Sequence, residues 1–185
     1  MVHTTIVQLD KADELYWMHR LARFPDLADK VLTDFDDVCN ELDIPHFIHA
    51  GTALGFYRDN KYTVTALDLD CGVIVSKDQM VEFRKKKNCC HPLQLKLIEK
   101  GFTCGSEGYL RNTHYYRDNI CLDVHWEFES WNLQFFEVFD NLVYKDRSYN
   151  IPSPIIQYLE EMYGSNWRVP DDWGIPHLCP TCRGK

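Results

Sequence analysis

Residues 67–75 read Leu-Asp-Leu-Asp-Cys-Gly-Val-Ile-Val, an alternation that constrains the chain more than any other segment. With a period of two, Asp68, Asp70 and Gly72 share one face, and Leu67, Leu69, Cys71, Val73 and Val75 share the other. Such a segment fits a strand whose apolar face lies on a core and whose opposite face carries two neighbouring carboxylates. Like charges side by side on a mostly apolar strand are costly unless water or a cation neutralises them. Mg²⁺, or Mn²⁺ in its place, is the economical partner, because it takes a few hard oxygen ligands and leaves positions open for a substrate phosphate. Gly72 is expected to leave space beside the pair. Two solvated aspartates on an exposed strand face are the competing reading, since short Asp-x-Asp patterns are common.

The pattern recurs in residues 120–128, where Leu122, Val124, Trp126 and Phe128 share one face and Cys121, Asp123, His125 and Glu127 the other. If the two strands are neighbours, Asp123 becomes a third metal ligand and the base that takes a proton from an acceptor hydroxyl. His125 and Glu127 are expected to face solvent. Upstream, Gly51-Thr52 ends a strand and opens a helix, offering backbone N–H groups and a hydroxyl to a phosphate. Arg58 stands about two turns further along that helix, within reach of a phosphate, although a surface arginine is the default for such a position.

The remaining periodicities predict helices over 10–23, 25–42, 53–58, 77–87, 92–100 and 154–163, the last stopped by Gly164. In the second, Leu27, Val31, Phe35, Val38 and Leu42 form the buried stripe, and Asp29, Asp34, Asp36 and Asp37 are expected to be a solvated face. Strands are predicted over 46–49, 67–75, 102–110, 113–117, 120–128 and 133–138, the last four as a meander with short polar turns. The fold class is therefore α/β (α+β), a mixed sheet with an antiparallel meander flanked by N-terminal and C-terminal helices. At 185 residues the chain suits one core, giving a single domain over 1–170. Within it, 1–44 supply the N-terminal helices, 45–150 the sheet and 151–170 the last helix, and 171–185 form an irregular tail.

Twenty Lys and Arg against 28 Asp and Glu give a formal charge of -8, which excludes non-specific binding to a phosphate backbone. No apolar run approaches the roughly 20 residues of a membrane span, and the N-terminus lacks the pattern of a secretory signal. A cytoplasmic location and mostly reduced cysteines are expected, with no membrane span. Cys179-Pro-Thr-Cys182 has the spacing of half a structural zinc site. Its missing ligands would come from Cys89, Cys90, His91 or His177; otherwise these are free thiols on a loose tail.

Taken in order, His49-Ala-Gly51-Thr52-Ala-Leu-Gly55-Phe-Tyr-Arg58-Asp59, Leu67-Asp68-Leu-Asp70-Cys-Gly72 and Leu122-Asp123-Val-His125 resemble the LicD/fukutin type of nucleotidyltransferase-fold enzyme. Tyr158-Leu159, Tyr163-Gly164, Trp167 and Pro170 match the family's closing signature. The resemblance implies a sheet carrying metal-binding aspartates. It also implies Mg-dependent transfer of a phosphocholine- or polyol-phosphate-like group from a CDP-linked donor to an acceptor hydroxyl, such as that of a glycan. Carried over by residue, Asp68 and Asp70 fall on the metal pair, Gly51 and Thr52 on the phosphate-contacting turn, Arg58 on the motif arginine, and Asp123 on the third acidic position. Where the family often has Trp-Asp-Asp ahead of the metal pair, this chain has Thr65-Ala66-Leu67. Two alternatives stay open: nucleotidyl transfer from an NTP to a small molecule, protein or RNA end, and an inactive relative serving as a binding module.

Overall fold

The computed structural model describes residues 20–76, 91–107, 112–127 and 133–170, together with Asp78. Most of the helix expected over 10–23, the helix over 77–87 and the whole tail, with Cys179, Cys182 and His177, lie outside the described residues, as do Cys89 and Cys90. A short α1 (Arg20–Arg23) leads into α2 (Pro25–Glu41), which opens on Pro25 where a missing N–H costs nothing. Then come β1 (His46–Ile48), α3 (Ala50–Asp59), β2 (Asp68–Ile74) and α4 (Pro92–Glu99). The meander follows as β3 (Thr103–Glu107), β4 (Asn112–Arg117) and β5 (Ile120–Glu127). A 3-10 turn at Leu133–Phe135, strands β6 (Phe139–Tyr144) and β7 (Arg147–Pro152), and helix α5 (Ile155–Tyr163) complete the chain.

The main sheet has the order β1-β2-β5-β4-β3. β2 and β5 run parallel, and the other pairings are antiparallel. This is the mixed α/β sheet with a meander that the alternating patterns predict. Its apolar face carries Leu69, Cys71, Val73, Leu122, Val124 and Trp126, all buried with Val31, Leu32, Phe35 and Val38 of α2 in one core. Trp126 satisfies its indole N–H on the Thr113 hydroxyl at 3.0 Å, the only way so large a polar ring is cheaply buried. Among the described residues no helix is long and apolar enough to cross a membrane.

Three expectations are corrected. Residues 133–138 are not a meander strand: Phe135 packs on Tyr158 and Phe136 on Phe47, and burying consecutive rings breaks a period of two. The true last pairing is a separate hairpin, β6 with β7, turning at Lys145 with φ 52°. Finally, the acidic face of α2 is not simply solvated. Asp29 accepts from the Tyr62 hydroxyl (2.8 Å) and from Lys145, Asp34 pairs with Arg117 (2.6 Å), Asp36 with His46 (2.9 Å), and Asp37 with Arg147. Asp36 is 8% exposed, whereas Leu27 of the presumed buried stripe is 37% exposed.

Gly72 does not leave open space either. The ring of Phe47, its register partner on β1, occupies the position where a Cβ would stand, and Phe136 and Phe139 lie against that ring at 4.8 and 5.1 Å. Gly72→Ala is therefore expected to lower stability by about 1–3 kcal/mol, an overpacking cost. In urea denaturation the effect should be clearly non-additive with Phe47→Leu, because the smaller side chain removes the clash.

Candidate active site

The register across three strands builds the site. Asp70 of β2 stands opposite Asp123 of β5, which stands opposite His114 of β4. In the next row, Gly72, His125 and Asn112 are aligned; in the row before, Asp68, Cys121 and Tyr116. All of these positions belong to the face opposite the core. The two acidic strand faces inferred from the alternation are thus one continuous surface.

Asp123 is the centre of its hydrogen bonding. One carboxylate oxygen, Oδ2, accepts from Asn112 Nδ2 (3.2 Å) and meets His125 Nε2 (3.1 Å); the other, Oδ1, lies 3.5 Å from His114 Nε2. Burial opposes its charge, but the bonds from His114 and His125 and their positive fields outweigh it and hold the carboxyl well below its ordinary range. The His114 imidazole is raised in return, chiefly through its bond to Asp123.

Asp70 has a different environment. Its Oδ2 accepts from the Thr52 N–H (3.3 Å), and its own N–H donates to the Thr52 hydroxyl (2.8 Å). A Cβ on Gly51 would stand 2.9 Å from that same Oδ2, so glycine is what lets the start of α3 approach the strand. Burial, then the charge of Asp68, pushes the Asp70 carboxyl up to about 8. Asp68 is raised by burial and by Asp123. A pair of groups driven apart in this way, one ionised and one holding its proton near neutrality, is a pattern that functional faces carry.

The start of α3 is braced from behind. Ala50, at φ 41°, occupies a backbone region that alanine rarely adopts, and its N–H donates to the Tyr158 hydroxyl (3.1 Å). That hydroxyl also touches His49 Nδ1 at 3.4 Å. His49 is 6% exposed, its Nε2 has no hydrogen-bond partner, and its ring lies 4.5 Å from that of His125. Burial, with the charge of His125, drops its pKa to about 3, so it is neutral.

The residues singled out in the sequence fall as follows. Asp70, Asp123, Gly51 and Thr52 come together, with Asp68 one row along and close enough to feel the charges of Asp123 and His114. The amides of Ala50, Thr52 and Ala53 are bonded to Tyr158, Asp70 and the His49 carbonyl, so these N–H groups hold the start of α3 and the Asp70 carboxylate. Arg58 points elsewhere: it donates to the Asp59 carboxylate (2.7 Å) and to the Trp167 carbonyl (3.0 Å), tying α3 to the segment after α5. His125 does not simply face solvent, as expected, but joins Asp70 and Asp123 in a group whose ligand atoms lie within 4.8 Å of one another. The side chain of Glu127 lies outside the described residues. His91, a proposed zinc ligand, caps α4 by accepting from the Leu93 N–H (3.2 Å). His114 and His49 were missed as site residues; the alternation of 112–117 puts His114 with Asn112 and Tyr116, but only the pairing with β5 reveals what that face meets.

The donor set fits a divalent cation. Two carboxylates and an imidazole converge, and the buried Asp123 Oδ1 has His114 Nε2 only at 3.5 Å. No protein-family model matches the chain. Its structure is similar to the solution structure of the antibiotic-resistance factor ANT(2'')-Ia, with a TM-score of 0.53, 17% identity and coverage of 80% of this chain and 77% of that one. The crystal structure of ANT(2'')-Ia in complex with adenylyl-2''-tobramycin gives 0.50, 15%, 76% and 77%. The chain shares the mixed α/β fold of these structures, which are those of a nucleotidyltransferase. In sequence, the chain is 23% identical over 150 residues to the human ribitol-5-phosphate transferase FKTN, and 22% to that of Macaca fascicularis. The alignment covers 71% of this chain and 31% of each relative, so the chain spans about a third of their length.

Because the folded state raises the Asp70 pKa, it favours the protonated carboxyl. Its contribution to stability is intact below about pH 4, falls as pH rises, and is lost above about 8. Asp70→Asn, measured without metal, is therefore expected to melt several degrees higher than the parent at pH 8.5 (~1 kcal/mol corresponds to roughly 2–4 °C at this size). The gain should shrink towards pH 5. A variant less stable than the parent at pH 8.5 would refute this account of the buried carboxylate.

Proposed function

We propose that this chain transfers a phospho-alcohol group, of the phosphocholine or polyol-phosphate class, from a CDP-linked donor to an acceptor hydroxyl, with residues 1–170 acting as one catalytic domain. The observation that carries the reading is the in-register row Asp70–Asp123–His114 beside the Gly51–Thr52 turn, on a nucleotidyltransferase-type sheet. Similarity to ribitol-5-phosphate transferase FKTN supports the choice of transferred group.

In this reading Asp70 and Asp123, with Asp68 at the margin, hold Mg²⁺ or Mn²⁺. A divalent cation there supplies neutralisation of charge on the donor phosphates. The chain's own residues do the rest. Thr52, locked to Asp70 by reciprocal bonds, fixes the carboxylate against the strand and keeps α3 aimed at the phosphates. Asp123, held ionised by His114 and His125, takes the proton of the acceptor hydroxyl as its oxygen bonds to the β-phosphorus and the phosphoanhydride bond to CMP breaks. The reading keeps a reducing, cytoplasmic setting as its expectation, one in which Cys39, Cys71 and Cys121 stay as thiols.

Nucleotidyl transfer is the second reading, favoured by the likeness to a structure that holds an adenylylated aminoglycoside. The two differ in what leaves. Incubation with Mg²⁺ or Mn²⁺ and CDP-choline or CDP-polyols is expected to release CMP, whereas incubation with the four NTPs is expected to give no pyrophosphate. Asp123→Asn should slow CMP release by about 10²–10⁴-fold, the usual worth of a positioned base. Pyrophosphate release dependent on Asp123 would replace the first reading with the second. Neither product, across a broad acceptor screen, would leave a binding module.

A further inference from the structure

We infer that His125 is itself a metal ligand and that this centre selects a manganese-class dication over magnesium. The inference rests on the reading that the acidic face holds a dication, and deepens it by naming the ligand set. The three groups whose ligand atoms converge within 4.8 Å are Asp70, Asp123 and His125; Asp68, the other half of the Asp-x-Asp pair, is not among them.

A second observation points to an absent occupant. Two buried polar atoms at or beside the cluster lack a close hydrogen bond: Oδ1 of Asp123, on a residue 7% exposed, whose neighbour His114 Nε2 is 3.5 Å away, and Nε2 of His49, on a residue 6% exposed whose ring lies 4.5 Å from that of His125. Orphaned buried polar atoms are rare because each forfeits its solvation, and an ion with its bound water is what such atoms would otherwise meet. The position of His125 suits it to ligation. Its register partner on β2 is Gly72, so no β2 side chain stands opposite the imidazole, and its Nε2 is already 3.1 Å from Asp123 Oδ2.

Ligand chemistry then decides the ion. Magnesium takes oxygen ligands almost exclusively and keeps much of its water. Manganese shares the preference of magnesium for carboxylate and water but, as a transition-metal dication, also tolerates an imidazole nitrogen. Replacing one carboxylate of an all-oxygen set by an imidazole therefore costs magnesium more than it costs manganese.

The test uses the whole chain, freed of metal, with Mn²⁺ and Mg²⁺ as the only probes. Calorimetry is expected to show Mn²⁺ bound about tenfold or more tighter than Mg²⁺. Pulsed electron paramagnetic resonance of the Mn²⁺ form should show hyperfine coupling to a directly bound nitrogen. His125→Gln should abolish that coupling and weaken Mn²⁺ binding about tenfold while leaving Mg²⁺ binding nearly unchanged. His125→Asp should restore binding but narrow the preference. His114→Gln should keep the coupling. Equal affinities with no nitrogen coupling, or coupling that survives His125→Gln, would overturn the assignment of His125 and leave the dication reading standing. Binding of neither ion would overturn both.

Discussion

The parallel pairing of β2 with β5 is the constraint on which the rest of the molecule depends. It sets Asp70, half-buried, directly opposite the buried Asp123, and a slip of one residue would send either carboxylate into the core. Parallel neighbours cannot be joined by a tight turn, so the chain leaves β2, passes through α4, β3 and β4, and returns to lie beside it. The compensating groups follow from that route. β4 brings His114 and Asn112 to Asp123 on the far side, and α3, entering from the near side, gives its first amides and a hydroxyl to Asp70. Neither carboxylate is left to burial alone, yet the two are treated oppositely: one is stabilised as an anion and the other is pressed towards its neutral form.

The acidic face of α2 shows how a local pattern can be right about the core and silent about everything else. Helical periodicity identifies the side that avoids the core, but not what comes to rest against it. Lys145 and Arg147 from the β6–β7 turn, Arg117 from the end of β4 and His46 from β1 all arrive there, from positions up to 116 residues away in sequence. Individually, such partly exposed pairs contribute little, of order 0–1 kcal/mol each. Those of Lys145 and Arg147 tie the second sheet to α2, along with the stacking of Tyr144 on Phe56 at 3.6 Å, which ties it to α3. The net charge of -8 is thus not spread as a uniform repulsive coat; part of its acidic share is spent inside the fold.

Much of the architecture was legible from periodicity because each element has a local cause. Alternation in 67–75 and 120–128 specified strands and their faces, and Pro25, Pro92 and Gly164 marked helix boundaries where the structure has them. The hairpin was not legible, since its turn uses Lys145 with a positive φ rather than a glycine or asparagine, and Phe139 opens a strand of mixed polar and apolar residues. At the site, the aspartates stood out because carboxylates on an apolar strand are anomalous in themselves. The histidines did not. His49 looks like the end of a strand, His114 like a surface residue and His125 like the solvent side of a meander; each acquires meaning only through register across strands distant in sequence.

The Phe47 ring over Gly72 has one further consequence. With Phe136 tilted against it, Phe139 stacked on it and His49 beside it, the β1 side of the carboxylate row is walled by rings. On the β4 side, His114 and His125 keep about a third of their side-chain surface exposed, at 30% and 31%. The row therefore has a direction: among the described residues, water and anything dissolved in it meet Asp123 from the β4 side. Its two neighbouring histidines stand at the threshold of that side, while Asp70, only half-buried, is the less enclosed of the two facing carboxylates.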